Sequence, residues 1–508
     1  MTSGLFRTKS VEQSIRDTEE PEHQLKKNLG ALDLIVFGVG VCVGAGIFVL
    51  TGHAAATNAG PAIVLSFLIA GLACGLAAMC YAELASTVPV AGSAYTFTYA
   101  TLGELAAWII GWDLILEFTV GAAALATSFS QYLGVLLADT PLAIPDALAS
   151  TETGWINLPA FLLVAALTVV LITGVKLSSR LNQVVTGIKL LVVFAVIIVG
   201  IFFVKVSNWV PFIPPAQGAS EADGSALTLP LVQSLFGIAP SVFGIGGVLA
   251  AAAMVFFAFI GFDIVATTAE ETRNPQRNLP IGIFGSLAIV TILYAGVSLV
   301  ITGMQNYKDI DPKDGAPLAT AFTNNGLPAM GNIIAIGACI GLIVVTMILF
   351  LGQTRVGFSM SRDNLLPQAL GKTHPKFRTP YRFTMLAGLA IALLAAFVPL
   401  AKLADLVNIG TLSAFVLVSV GVIVLRKKRP DLKRSFKVPF VPVLPIVSAI
   451  VCFYLMMNLP LETWIRFVIW LALGIVVYFL YSRRHSRIGR NSAEDASSEN
   501  PEAAASID

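Results

Sequence analysis

Residues 40–49 read GVCVGAGIFV and lie in the middle of an apolar stretch running over about 32–53. That stretch is long enough to cross a bilayer, which takes about 20 residues of helix, yet Gly44-Ala45-Gly46 interrupts it. A helix in lipid must satisfy its own backbone groups. It can be broken only where protein or a water-filled cavity receives the groups set free. A second stretch, about 247–271, is broken the same way: residues 256–265 read FFAFIGFDIV, with Gly261 in the middle. One such interruption also has a plainer reading, a small-residue face that lets helices pack closely. Two, at the first segment of each of two five-segment halves, point to a transporter substrate site.

The rest of the chain fits that frame. Of 508 residues 56% are apolar and 12% charged, and the mean hydropathy is +0.82. A soluble domain of this length is not that apolar, so the fold class is an all-α polytopic membrane protein. Twelve apolar stretches are long enough to span, near 32–53, 61–84, 103–134, 157–176, 182–206, 247–271, 279–304, 332–361, 381–400, 403–425, 440–458 and 462–482. We expect a first repeat over 31–206 and a second over 247–426. An odd number of spans per repeat inserts the second half upside down, giving a five-plus-five inverted repeat with discontinuous helices one and six. The last two spans, 440–482, are then an appendage. The polar segment 1–30 reads as a cytoplasmic tail, and 485–508, rich in Ser, Ala and Glu, as a disordered one. The loop over about 207–246 carries several Pro and Gly and is suited to folding over the extracellular mouth.

Orientation follows from the basic residues. With the N-terminus inside, the cytoplasmic loops and tails hold 26 of the 32 Lys and Arg, and the outer loops only Lys205, Lys308, Lys313, Lys402 and Arg466. Both termini are therefore expected in the cytoplasm, with the plasma membrane as the location. Membrane lipids are the expected surroundings. The block 426–429, RKKR, reads first as this topology signal and second as a contact for anionic headgroups. No cleavable leader is visible in the polar first thirty residues.

Few residues within the apolar segments carry chemistry. Gly44 and Gly46 let backbone approach a ligand closely. The half-helix that follows opens with free N–H groups and a partial positive charge suited to a carboxylate. Before that break and at the sixth-segment break, the carbonyls of Val41, Cys42, Phe257, Ala258 and Ile260 are expected to accept from an ammonium. Together with Val43 and Ala45 these residues make a site complementary to a zwitterion. Lys189 stands alone in the apolar run after Arg180, about 13 Å along the helix, where a charge costs about 2.5–3.5 kcal/mol. Desolvation disfavours its charged form, so it is suited to proton coupling; the competing reading is an amine snorkelling to the inner interface. A nearby ammonium and the scarcity of oxygen ligands disfavour sodium. Asp113 and Glu117 share one helix face. Glu117 either meets a substrate or partners a polar group of another span, and Asp263 either does the same or caps a half-helix. The four histidines, His23, His53, His374 and His485, form no ligand spacing, and no nucleophile elbow or phosphate loop is present. An enzyme, a metal, a cofactor and a nucleic-acid partner are therefore not expected. The five cysteines read as small core residues.

At these residues the chain resembles the cationic amino acid transporter family of the amino acid–polyamine–organocation superfamily. The marks are GVGVCVGAGIFVLTG (38–52), CYAELASTVPVAGSAYTFTY (80–99), GWDLILEFTVGAAA (111–124), SSRLNQVVTGIKL (178–190), FFAFIGFDIVATTAEETRNPQRNLPIGI (256–283) and GQTRVGFSMSRDNLLP (352–367). The resemblance implies proton-linked uptake of L-amino acids. It implies that Gly44, Ala45 and Gly46 present N–H groups to the carboxylate and that Cys42, Phe257, Ala258 and Ile260 receive the amine, with the Phe257 ring as a gate. It further implies that Lys189 takes the place a sodium ion fills elsewhere, with Thr346 as its hydroxyl partner. Relatives often carry a hydroxyl residue between the two glycines, where this chain has Ala45. Bulky Ile343, expected to face the side-chain pocket, favours small or neutral substrates, while Glu117 favours a cationic one. The alternatives kept open are an amino acid or polyamine exchanger without net proton movement and a non-transporting amino acid sensor. The oligomeric state is not legible in the sequence.

Overall fold

The structure, a computed structural model, describes residues 28–88, 94–149, 154–174, 179–218, 227–236 and 241–487. Most of both expected tails, Lys176, and parts of the 207–246 loop lie outside the described residues. Each of the twelve apolar stretches is helical: α1 (Ala31–Cys42), α2 (Ile63–Thr87), α3 (Glu104–Leu137), α4 (Leu158–Ile172), α5 (Ser179–Ile201), α6 (Gly244–Val255), α7 (Pro275–Met304), α8 (Pro328–Arg362), α9 (Tyr381–Phe397), α10 (Leu400–Lys428), α11 (Val443–Met457) and α12 (Leu461–Val477). Among the described residues eight helices are long and apolar enough to cross a membrane, and α1, α4, α9 and α11 are shorter apolar helices.

α1 is short because it breaks. The chain leaves the helix at Val43 in extended geometry (φ −71°, ψ 90°). It resumes with wide π-type turns over Gly46–Leu50 and Ala55–Ala59, a distortion common at functional sites. Gly60, with φ +58°, then turns the chain into α2.

The long helices α3 and α8 pack against each other at the centre and are mostly buried, as is α6, whereas α12 lies at the periphery and is mostly exposed. That periphery exposes Val468, Ile469, Leu473, Val476 and Leu480, an outer face that suits lipid and would not suit water. α12 is nonetheless tied to α3, since Trp108 Nε1 donates to the Gly474 carbonyl at 2.8 Å and Trp112 stacks on Trp470 at 4.5 Å.

Two edges of the sequence reading shift. Residues 28–30, assigned to the tail, are held at the end of the sixth segment: Asn28 and Leu29 N–H donate to the Glu271 carbonyl, and Arg273 N–H to that of Leu29. Residues 485–487, assigned to the disordered tail, are ordered because buried Glu104 needs donors. Ser486 supplies one at 2.5 Å and Tyr478 another at 3.1 Å. Two helices, Ala94–Thr101 and Pro317–Asn324, lie where the sequence showed only connections, being shorter than any span. In the long loop Gln217–Gly218 pairs antiparallel with Ser241–Val242, and the Pro214 carbonyl accepts from Gly244 N–H at 3.0 Å.

Candidate functional site

The two interrupted helices meet. A Cβ on Gly46 would overlap the Ala258 backbone, and one on Gly261 would come within 2.6 Å of Val41 Cγ1. Gly261 adopts φ +124°, a conformation open to glycine and strained for other residues. The second break runs as a tight turn over Phe256–Phe259, is extended at Ile260 (φ −61°, ψ 130°), and restarts at Ile264–Thr267. Asp263 accepts from the Gly261 N–H at 3.2 Å, so it fixes this turn from within.

Each break leaves carbonyls without intrahelical donors, and buried groups of this kind must find partners elsewhere. Three side chains supply them. Lys189 of α5 is 1% exposed. Its ammonium donates to the carbonyl of Gly40 and, at 2.9 Å, to that of Val43. The amine is thus turned inward onto the C-terminal end of α1, where the helix dipole favours a cation. It does not snorkel. Its stem fits a notch left by Gly341 of α8, where a Cβ would strike the Lys189 chain. Asn408 of α10 donates to the carbonyls of Ala253 (2.9 Å) and Met254 (3.0 Å) at the end of α6. Tyr294 of α7 places its hydroxyl 2.6 Å from the Cys42 carbonyl and 2.7 Å from that of Ala258, joining the two breaks through one group.

Beside this junction lies a cavity of about 20 Å³, room for a single water-sized molecule. Its walls are Val41, Cys42, Gly44, Ala45 and Gly46 from the first break, Phe257 and Ile260 from the second, Glu117, Gly121 and Leu125 from α3, and Val345 and Leu349 from α8. The α3 and α8 contributions repeat at four-residue spacing, as one helix face requires. Glu117 is 1% exposed, and neither carboxylate oxygen has a hydrogen-bond partner. Asp113, one turn earlier, behaves differently: it accepts from the Ser413 hydroxyl of α10 at 2.7 Å. The two carboxylates therefore separate, Asp113 towards a neighbouring helix and Glu117 towards the cavity.

The structure brings together Cys42, Gly44, Ala45, Gly46, Glu117, Phe257 and Ile260 around the cavity, and leaves off it three residues expected there, Val43, Ala258 and Ile343; the expected pairing of Thr346 with Lys189 is also not formed. Val43 turns its carbonyl to Lys189. Ala258 packs on Gly46 and gives its carbonyl to Tyr294, as does Cys42, so neither oxygen is open in this arrangement. The Phe257 carbonyl likewise accepts from Ile260 N–H at 3.3 Å. Ile343 is half-buried and away from the cavity; two residues beyond Gly341 and two before Val345, it points roughly 200° round the helix. Thr346 donates to Leu342 on its own helix at 2.7 Å and makes no hydrogen bond to Lys189. Tyr294 and Asn408 were missed in the sequence. Polar groups within apolar spans were the available signal.

Comparison with known proteins identifies the family of the chain. A family model described as amino acid permease matches residues 29–481. The chain belongs to the amino acid permease family. It is 46% identical to the methylthioribose transporter of Bacillus subtilis over 492 residues, which is 96% of this chain and 100% of that one. It is 47% identical to the branched-chain amino acid permease BcaP of the same organism over 497 residues, again 96% and 100%. Cationic amino acid transporter 4, vacuolar, of Arabidopsis thaliana is 37% identical over 433 residues, 84% of this chain and 68% of its own. The resemblance read from the sequence is therefore met, at lower identity than to the bacterial permeases. The protein is an integral membrane transporter and not an enzyme.

Proposed function

We propose that the protein is a proton-coupled importer of neutral L-amino acids, working by alternating access around the cavity where the two broken helices meet. The observation that carries this reading is the wall chemistry. Residues of the two breaks line the cavity together with Gly121, Leu125, Val345 and Leu349 and the carboxyl-bearing Glu117, so a zwitterionic head and an apolar side chain each find a complement. In this reading the N–H groups at Gly44–Gly46 take the carboxylate. The carbonyl of Ile260 takes the ammonium, joined by those of Cys42 and Ala258 once the Tyr294 hydroxyl moves aside, and Phe257 closes over the substrate. At about 20 Å³ the cavity is contracted, and substrate entry requires the breaks to part.

Coupling runs through Lys189. Its ammonium holds the end of α1; loss of the proton leaves two N–H groups but removes the charge that strengthens both bonds, weakening the hold so that α1 can rock against α5. The twelve helices all span, in two inverted repeats over 31–206 and 247–426 with 440–482 appended, and both termini face the cytoplasm of a plasma-membrane protein. The matching roles of Lys189 at the end of α1 and Asn408 at the end of α6 support that repeat.

The branched-chain permease relative favours leucine, isoleucine or valine as substrate. The methylthioribose relative favours a second reading, a small neutral sugar thioether, with Glu117 accepting from its hydroxyls. Uptake of radiolabelled leucine, arginine and methylthioribose into proteoliposomes, with and without an inward proton gradient, decides. Gradient-driven leucine uptake is the expected result. Uptake only into substrate-loaded vesicles would replace symport with exchange, and gradient-driven methylthioribose uptake without leucine would replace the substrate class.

A further inference from the structure

The broken ends of α1 and α6 are held in the same register. α1 ends at Cys42 and α6 at Val255. Gly40 and Ala253, each two residues before that end, give their carbonyls to Lys189 and Asn408 respectively. Counted from its own broken helix, each donor sits on the fifth helix. The chemistry differs: one donor is an ammonium, the other a neutral amide. Asn408 is fully buried, and its Oδ1 has no hydrogen-bond partner. A buried polar atom left unsatisfied is costly, so an asparagine here is a poor core residue unless its Nδ2 bonds matter.

We propose that Asn408 is the positioning residue of the second broken helix. It fixes the end of α6, and through the adjoining turn Phe256–Phe259 it sets where Phe257 and Ile260 stand at the cavity wall. α10 is well placed for this, because five residues on Ser413 bonds Asp113 of α3. One helix thus ties the α6 wall to the α3 wall that carries Glu117. The inference rests on the transport reading of the cavity for its effect on substrate, but not for its effect on α6 itself.

The test uses full-length protein in proteoliposomes with L-leucine as probe, comparing wild type, Asn408→Ala and Asn408→Gln. Loss of the amide should raise the leucine KM about tenfold, the size expected for a buried carbonyl pair losing its donor, with kcat changed less than about threefold. Asn408→Gln, which keeps the amide, should recover much of that loss. In parallel, hydrogen–deuterium exchange of Asn408→Ala should speed up over 253–264 and stay at the wild-type rate over 38–48. An unchanged KM, a fall in kcat at constant KM, or a Gln variant no better than Ala would overturn the positioning role. Unchanged exchange over 253–264 would overturn it whatever the transport result. Absence of leucine uptake by the wild type would sink the substrate reading alone, and the exchange data would still decide Asn408.

Discussion

Gly46 lies so close to Ala258 that a Cβ on residue 46 would overlap the Ala258 Cα. The two broken helices therefore touch backbone to backbone, and residues of both line the cavity. Gly261 against Val41 repeats the arrangement one step along. Close approach of this kind is available only to residues without side chains, which gives the glycines of the two breaks a packing role separate from any contact with substrate.

Gly46→Ala and Gly44→Ala should consequently differ. At Gly46 the neighbour is backbone and cannot yield, so overpacking should cost about 1–3 kcal/mol, and uptake should fall below detection. At Gly44 a Cβ meets Leu125 Cδ2 at 3.2 Å and Val345 Cγ1 at 3.9 Å, side-chain tips that can move. That variant should melt within a few degrees of wild type but bind substrate more weakly, because the added methyl projects into the cavity. Thermal melting in detergent and leucine uptake, measured together, check both; equal effects of the two substitutions would refute the distinction.

Lys189→Met keeps the stem that packs over Gly341 and removes only the donor. Uptake by this variant should no longer respond to an inward proton gradient, while leucine should still raise its melting temperature. Gly341→Ala, whose Cβ would strike the lysine stem, should weaken the same coupling without touching the amine. If the Lys189→Met variant keeps a full gradient response, the proton passes elsewhere.

Tyr294→Phe tests the bridge between the breaks. Without the hydroxyl the Cys42 and Ala258 carbonyls lose their donor, at about 1–3 kcal/mol for buried groups left unpaired. Substrate ammonium offers a replacement. The variant should therefore melt lower than wild type without leucine and close much of the gap with leucine at saturation. A deficit that saturating leucine leaves untouched would mean that substrate does not reach those carbonyls.

Much of this was legible in the sequence, and the limits have physical causes. The interrupted segments, the cavity-lining residues Gly44, Gly46, Glu117 and Phe257, and the inward, buried placement of Lys189 all follow from one rule, that lipid tolerates neither a broken backbone nor a lone charge without reason. What the rule cannot give is the partner. It marked Lys189 but not the Gly40 and Val43 carbonyls it holds, and it freed the Cys42 and Ala258 oxygens without revealing that Tyr294 meets them. Those pairings join residues 36 to 252 positions apart and depend on tertiary packing. Ile343 failed for a local reason: on a helix buried on most sides, hydropathy does not say which face meets the cavity. Nothing in the sequence marked the face carrying Val345 and Leu349 over the one carrying Ile343.

The apolar end of the cavity sets the final prediction. A Cβ on Gly121 would stand 3.3 Å from Leu349 Cδ1, so Gly121→Ala narrows the space a substrate side chain must fill while leaving the backbone breaks alone. A difference of one methylene in an apolar pocket changes specificity by about 10–200-fold. Gly121→Ala should therefore lower kcat/KM for leucine at least about tenfold relative to alanine, and Leu349→Ala should shift the preference the other way, towards phenylalanine. The two kcat/KM ratios, measured as competing uptake from mixtures, read this directly. Unaltered ratios in both variants would place the substrate side chain away from the α3–α8 face and leave Glu117 without a substrate to read.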